Sequence, residues 1–250
     1  MRVNSLVFLI LTFCLTFISS CNVKIEYEGF DSSKLLSAEQ LYEFQTYRSL
    51  DEALENPEKV YKLALVNKEY ERAPRILYKF KYLNILELSM NDLKDLPGFI
   101  GDMIYLQGLY LANNKFSSVP GHIYELPRLK RIRLGENRFT EFPQKLAEME
   151  SLEEIYLDRN EISEIPHAIY GMEQLRILDL NGNRIETLRP FIIKLKNLEV
   201  LNLKNNQLRK LPREISRLPN LRLLNIKGNL IPSHVGDSLR EIMPNTKIDY

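Results

Sequence analysis

Cysteine and histidine are scarce in this sequence, and their scarcity narrows its chemistry. The 250 residues hold two cysteines and three histidines. Cys14 lies inside an apolar run near the start, so only Cys21 remains if that run is removed. One cysteine cannot form an internal disulfide, so the fold must rest on its core alone. His122, His167 and His234 are far apart, with no Cys/His spacing of the kind that holds a metal. His122 and His167 are expected as solvated surface residues. A Gly-rich phosphate loop and a G-x-S-x-G nucleophile turn are both missing. So is an excess of one charge. The chain has 34 basic and 33 acidic residues, and removing Arg2 with the first twenty leaves 33 of each. Nucleic-acid binding needs a basic face to displace phosphate counterions, and this balance argues against it. No cofactor, metal or catalytic constellation is expected, and the chain reads as non-enzymatic.

A long apolar run is lacking too. Residues 5–18 are apolar apart from Ser5, Thr12, Cys14 and Thr16. They would make about 21 Å of helix, short of the ~30 Å hydrocarbon layer. A basic start, a short apolar stretch and then small residues is the layout of a secretory signal. A tilted span in a thinned bilayer stays open at this point.

What the chain does have is an internal period. Leu83, Leu106, Leu129, Leu152, Leu175, Leu198 and Leu221 follow one another at a constant step of 23 residues. Each row reads L-x-x-L-x-L-x-x-N-x-L-x-x-L-P-x-x-I, as in the row that starts "LEEIYLDRNEISEIPHAIYG" at Leu152. The ninth position gives Asn91, Asn114, Asn137, Asn160, Asn183, Asn206 and Asn229. An eroded first row starts at Val60, with Lys68 in place of the asparagine. Pairs such as Leu86/Leu88 alternate with period two, which suits a short strand. The proline that follows has no N–H to give a ladder, so the second half of each row turns the chain back. An asparagine at the bend can donate to and accept from backbone groups left unpaired there, and its loss should cost about 1–3 kcal/mol. Lys68 cannot accept, so the first turn is expected to be looser. Arg189-Pro190 also departs from the pattern, moving the proline by one place.

These motifs resemble the leucine-rich repeat, in its 23-residue form with an L-P-x-x-I second half. The resemblance runs from Val60 to about Ile231. It implies an α/β, right-handed solenoid of horseshoe shape, with parallel strands on the concave side and an irregular or 3-10 convex side. One row cannot bury enough apolar surface to hold itself, so capping ends are needed. Ser37 with Gln40, and Ser49 with Glu52, read as capping boxes of short helices, the second stopped at Asn56-Pro57. Leu50, Ala53 and Leu54 would cover the open edge of the first row. At the far end a helix stops at Pro244 and "TKIDY" reads as a last extended piece.

The expected organisation is a signal segment at 1–20, a polar tether at 21–36, a helical cap at 37–59, eight repeats at 60–232 and a final cap at 233–250. Strand positions three, five and seven of each row face outward on the concave side. In the middle rows they bring together Tyr110, Arg131, Arg133, Tyr156, Asp158 and Asp179. Tyrosine and arginine dominate interface energies, so this patch is the candidate partner-binding site. Gly108, Ala112 and Gly135 beside it would leave room for a partner's side chains.

Ile18-Ser19-Ser20-Cys21 is similar to a bacterial lipobox, an aliphatic residue and two small ones before cysteine. That resemblance implies lipidation of Cys21, with cleavage before it. Several acyl chains at about 0.8 kcal/mol per buried methylene make a stable anchor. The reading is a monomeric module that binds a protein, or a glycan, on its concave face. Its place is a bacterial envelope, at the outer membrane or cell surface. The alternative is an intracellular scaffold for a signalling enzyme, since this repeat type is similar to the Ras-associated subgroup.

Overall fold

The computed structural model describes residues 31–250. The signal segment expected at 1–20 and the lipidation expected at Cys21 lie outside the described residues. Among the described residues, nine three-residue strands form one parallel sheet in chain order. They are β1 (Lys62–Ala64), β2 (Ile85–Glu87), β3 (Gly108–Tyr110), β4 (Arg131–Arg133), β5 (Glu154–Tyr156), β6 (Ile177–Asp179), β7 (Val200–Asn202), β8 (Leu223–Asn225) and β9 (Lys247–Asp249). Their register is that of the repeat: Lys62 faces Ile85, which faces Gly108, which faces Arg131. The return path carries seven five-residue 3-10 turns, from Arg75–Lys79 to Arg213–Arg217. A proline caps six of them. At the seventh, Pro190 is the first residue of the turn Pro190–Lys194, where a missing N–H is tolerated. The one-place proline shift therefore leaves the turn in register. Together these elements form the horseshoe of a leucine-rich-repeat solenoid, its core one continuous cluster from Ala53 to Ile248.

The asparagine ladder forms, but each asparagine serves the row before its own. The Oδ1 of Asn114 accepts from Leu93 N at 3.0 Å, and that of Asn160 from Phe139 N at 3.0 Å. Meanwhile Asn160 Nδ2 donates to Leu134 O of the previous row at 3.0 Å and to Leu157 O of its own at 3.1 Å. Asn91, Asn137, Asn183, Asn206 and Asn229 repeat the scheme. This overturns the expectation of a loose first turn. Lys68 N and Tyr70 N both donate to Asn91 Oδ1, at 3.0 and 3.1 Å, so that turn is closed from its neighbour.

Position eight, just before the asparagine, is left-handed in every row. Asn67, Met90, Asn113, Glu136, Arg159 and Asn205 have φ between 51° and 58°, and Gly182 and Gly228 reach 69° and 73°. Glycine and asparagine suit that conformation; methionine, glutamate and arginine are strained there.

Both ends are covered. Helix α1 (Ala38–Glu43) has the full Ser37/Gln40 capping box. Helix α2 (Leu50–Glu55) has half of one: Ser49 accepts from Glu52 N, while the Glu52 carboxylate is engaged by Gln45 Nε2. Ala53 is fully buried and Leu50 and Leu54 pack beside it on the core. Tyr47 bridges to the open edge of β1, donating to Lys62 O and accepting from Ala64 N. That pairing hides backbone groups that would otherwise invite another strand. At the other end α3 (Ser233–Ile242) leads to β9, which completes the sheet.

The start of the described chain is docked, where a polar tether was expected. Leu36 is buried and joins Leu41 and Tyr61 in a small apolar cluster. Asn84, with no exposed surface, accepts from Leu36 N at 3.0 Å and donates to Lys34 O at 2.9 Å. Gln107 Nε2 donates to Leu36 O at 2.7 Å. The two amides at position two of adjacent rows thus hold residues 34–36 against the first strands.

Candidate functional site on the concave face

The parallel register aligns the fifth position of successive rows into one file across the sheet. From β2 to β6 it reads Glu87, Tyr110, Arg133, Tyr156, Asp179. The exposed guanidinium of Arg133 lies over both tyrosine rings, 5.1 Å from the centroid of Tyr110 and 4.7 Å from that of Tyr156. With a ring on either side along the file, its open direction is away from the sheet. Among the described residues its guanidinium donates no hydrogen bond and forms no ion pair. Asp179 carries two bonds, from Asn181 N and Asn202 Nδ2, each at 3.0 Å.

Arg131, at the third position, is differently placed. Its guanidinium grips Glu154 on the next strand through both carboxylate oxygens, Nη2 to Oε1 at 2.5 Å and Nε to Oε2. Its Nη1 donates to Tyr110 Oη at 3.2 Å, and Tyr156 Oη donates to Glu154 Oε2 at 3.0 Å. Burial pushes the Glu154 carboxyl up, but the bonds and charge of Arg131, with the Tyr156 hydroxyl and Arg176, together outweigh it and hold the group below the usual range. The same bonds raise the Arg131 guanidinium. Arg131 and the Tyr156 hydroxyl are therefore engaged within the fold, and Arg133 is the free member of the predicted pair. Glu154 is the residue the sequence reading left out. Its signal was present, since position three carries Arg131 and Glu154 in consecutive rows.

The room expected over the glycines is already filled. A Cβ on Gly135 would collide with the carboxylate of Asp158, and one on Gly108 would stand 3.1 Å from the Tyr110 hydroxyl oxygen. Both glycines admit side chains of this chain, not a partner's. Asp158 is half-buried, and burial followed by the charge of Asp179 pushes its carboxyl up. Burial raises Asp179 as well. The patch thus mixes one free cation with two carboxylates that are uneasy as anions.

Along the rim, position two carries an alternating file. Lys130, Glu153, Arg176, Glu199 and Arg222 are linked at 3.9, 3.6, 2.8 and 3.7 Å. Such surface pairs add little each. The file breaks at Gln107 and Asn84, where the docked segment begins. A cleft of about 530 Å³ lies between Leu35, Leu36 and Leu41 of that segment and Tyr110, Arg131 and Lys130. On the convex side the Nε2 of His122 is buried without a partner, contrary to the solvated setting expected for it. His167 is exposed and stacks edge-on against Phe191 at 4.6 Å. Among the described residues no helix is long and apolar enough to cross a membrane.

Comparison with known proteins agrees with this geometry. The leucine-rich-repeat family model matches residues 127–185 and 173–231. No curated protein matches the sequence. A leucine-rich-repeat protein of Leptospira interrogans superposes with a TM-score of 0.67 at 28% identity, over 82% of this chain and 58% of its own. An internalin of Listeria monocytogenes gives 0.67 at 20% identity, over 81% of this chain and 57% of its own. A second Listeria internalin gives 0.67 at 22%, over 78% and 82%. The chain thus spans less than two thirds of the first two neighbours, and the two internalins show the fold alone. Leucine-rich-repeat domains are typically non-enzymatic scaffolds for protein–protein interaction. By its repeats, its sheet and its neighbours, this chain has the fold of a leucine-rich-repeat solenoid, and its residues 127–231 match the leucine-rich-repeat family model.

Proposed function

We propose that this protein is a non-enzymatic recognition module that binds a protein partner on its concave face and is held on a bacterial envelope by lipid at Cys21. The observation that carries the binding site is the Tyr110–Arg133–Tyr156 stack: an exposed guanidinium held by its two ring neighbours that, among the described residues, makes no hydrogen bond or ion pair. A preorganised side chain loses little entropy on binding, which is what makes an interface anchor effective. Tyr110, Arg133, Tyr156, Asp158 and Asp179 form the contact surface, and Arg131 braces it from beneath through Glu154. The lipid anchor rests on the Ile18–Cys21 motif and places the module at the outer membrane or cell surface.

Affinity capture with the full chain tests the site. Arg133→Gln should abolish recovery of the partner while leaving the melting temperature unchanged. Equal recovery by wild type and variant would remove the concave patch from the account. Metabolic labelling with a fatty acid, wild type against Cys21→Ala, tests the anchor. An unlabelled, full-length wild-type product would favour the intracellular scaffold instead.

A further inference from the structure

The concave file has a polarity that selects its partner. Glu87 and Asp179 each lie two strands from Arg133, one on either side, with Tyr110 and Tyr156 between. At the usual spacing of parallel strands that is about 10 Å in each direction. Within these rows the concave face carries four carboxylates, Glu87, Glu154, Asp158 and Asp179, against two guanidiniums, Arg131 and Arg133. Arg131 and Glu154 neutralise each other. What faces outward is therefore one cation enclosed by acidic groups. A polyanion such as nucleic acid, a sulfated glycan or an anionic lipid surface would meet Arg133 only by bringing further negative charge against Glu87, Asp158 and Asp179. A uniformly basic surface would satisfy the rim and leave Arg133 opposed by like charge, which costs specificity energy at an interface.

We infer that the site reads a protein surface that presents a single aspartate or glutamate carboxylate to Arg133, with lysine or arginine side chains about 10 Å away on either side along the solenoid axis. This rests on the concave-face reading above and names the chemistry of its partner. The carboxylate takes the two in-plane N–H groups that the stacked guanidinium has free, the geometry in which arginine binds most strongly. The flanking bases answer Glu87 on one side and the Asp158/Asp179 pair on the other. The tyrosine rings close the contact and exclude water around it.

The test uses a displayed library of random peptides selected against the full chain, in parallel with Arg133→Gln, with the double variant Glu87→Gln/Asp179→Asn, and with the convex variant Arg213→Gln as control. Wild type and control should enrich peptides carrying one acidic residue among basic ones. Arg133→Gln should lower their capture by about tenfold or more and erase the acidic preference while keeping the basic one. The double variant should do the reverse. Enrichment of polyacidic peptides, or an acidic preference that survives Arg133→Gln, would overturn the inference. Peptides without charge whose capture still falls in Arg133→Gln would overturn it too, yet leave the concave site standing. Capture unaffected by either concave variant, or no enrichment at all, would overturn both readings.

Discussion

Arg131 holds Glu154 across two adjacent strands, one guanidinium against one carboxylate, with Tyr156 closing the same carboxylate from the side. This pair lies at the centre of a surface read from sequence as a set of free contacts, and it divides that set in two. Arg131 belongs to the scaffold and Arg133, two residues on, to the outside.

Removing the scaffold arginine should therefore cost stability. Arg131→Met leaves Glu154 buried without its partner and should lower the unfolding free energy by about 1–3 kcal/mol at neutral pH. The pH dependence gives the sign. In the wild type the Glu154 carboxyl is held below its usual range, so its stabilisation is present above the ordinary carboxylate pKa and lost as pH falls through the lowered value. Without Arg131, burial, the largest single influence on this carboxyl, is opposed by the Tyr156 hydroxyl and Arg176 but no longer by the paired guanidinium, which shifts the balance toward the protonated acid. The gap between variant and wild type should shrink as pH falls, and urea titrations at a series of pH values would measure it.

Asp158 should behave in the opposite sense. Burial and the charge of Asp179 raise its carboxyl above the usual range, so it opposes folding when ionised. The loss sets in as pH rises from the ordinary value through the raised one, and it is absent below both. Asp158→Asn should melt higher than wild type at neutral pH and equal to it in acid. Scanning calorimetry at the two extremes is sufficient.

The strained position eight offers a test of backbone conformation alone. Met90 is half exposed at φ 58°, where asparagine or glycine occupies equivalent places in other rows. Met90→Asn should stabilise by about 0.5–1 kcal/mol, and Gly182→Ala, at φ 69°, should destabilise by about 1–2 kcal/mol. Chemical denaturation of the two variants checks both directions.

The direction of the asparagine ladder predicts an asymmetry. Asn91→Ala should destabilise the first turn by about 1–3 kcal/mol, because Lys68 N and Tyr70 N lose their shared acceptor. Lys68→Asn, which restores the repeat pattern, should change stability by less than about 0.5 kcal/mol, since that turn is already closed. Amide exchange at Tyr70 distinguishes the cases. The same measurement on Asn84→Ala should show the Leu36 amide losing its protection, as the docked segment loses its anchor.

Most of the fold was legible because a repeat prints its geometry seven times over. The leucine spacing predicts β2 to β8 and their register, the prolines predict where the chain turns back, and Ser37 with Gln40 predicts a cap that the structure forms in full. The parts that escaped are those where rows interact. An asparagine at position nine shows that a bend needs closing, but not which bend. Position eight carries Asn, Met, Glu, Arg and Gly in different rows, so its common left-handed backbone leaves no single residue type to read. The candidate patch was found in place, but whether an outward residue is free depends on its neighbour one row along. Arg131 has Glu154 there, and Gly135 has Asp158. The docking of residues 34–36 obeys no period at all, and its only trace is two amides, Asn84 and Gln107, where later rows carry charge.

The account depends most on Arg133 being the point of contact. A photo-crosslinking residue placed at Ala112, beside the stack on the concave side, and another at convex Arg213 would report this in the living cell. The account predicts a discrete protein adduct from position 112, none of that mass from position 213, and loss of the first when Arg133→Gln is added. An adduct from 112 that persists with Arg133→Gln, or the same adduct from both positions, would contradict it.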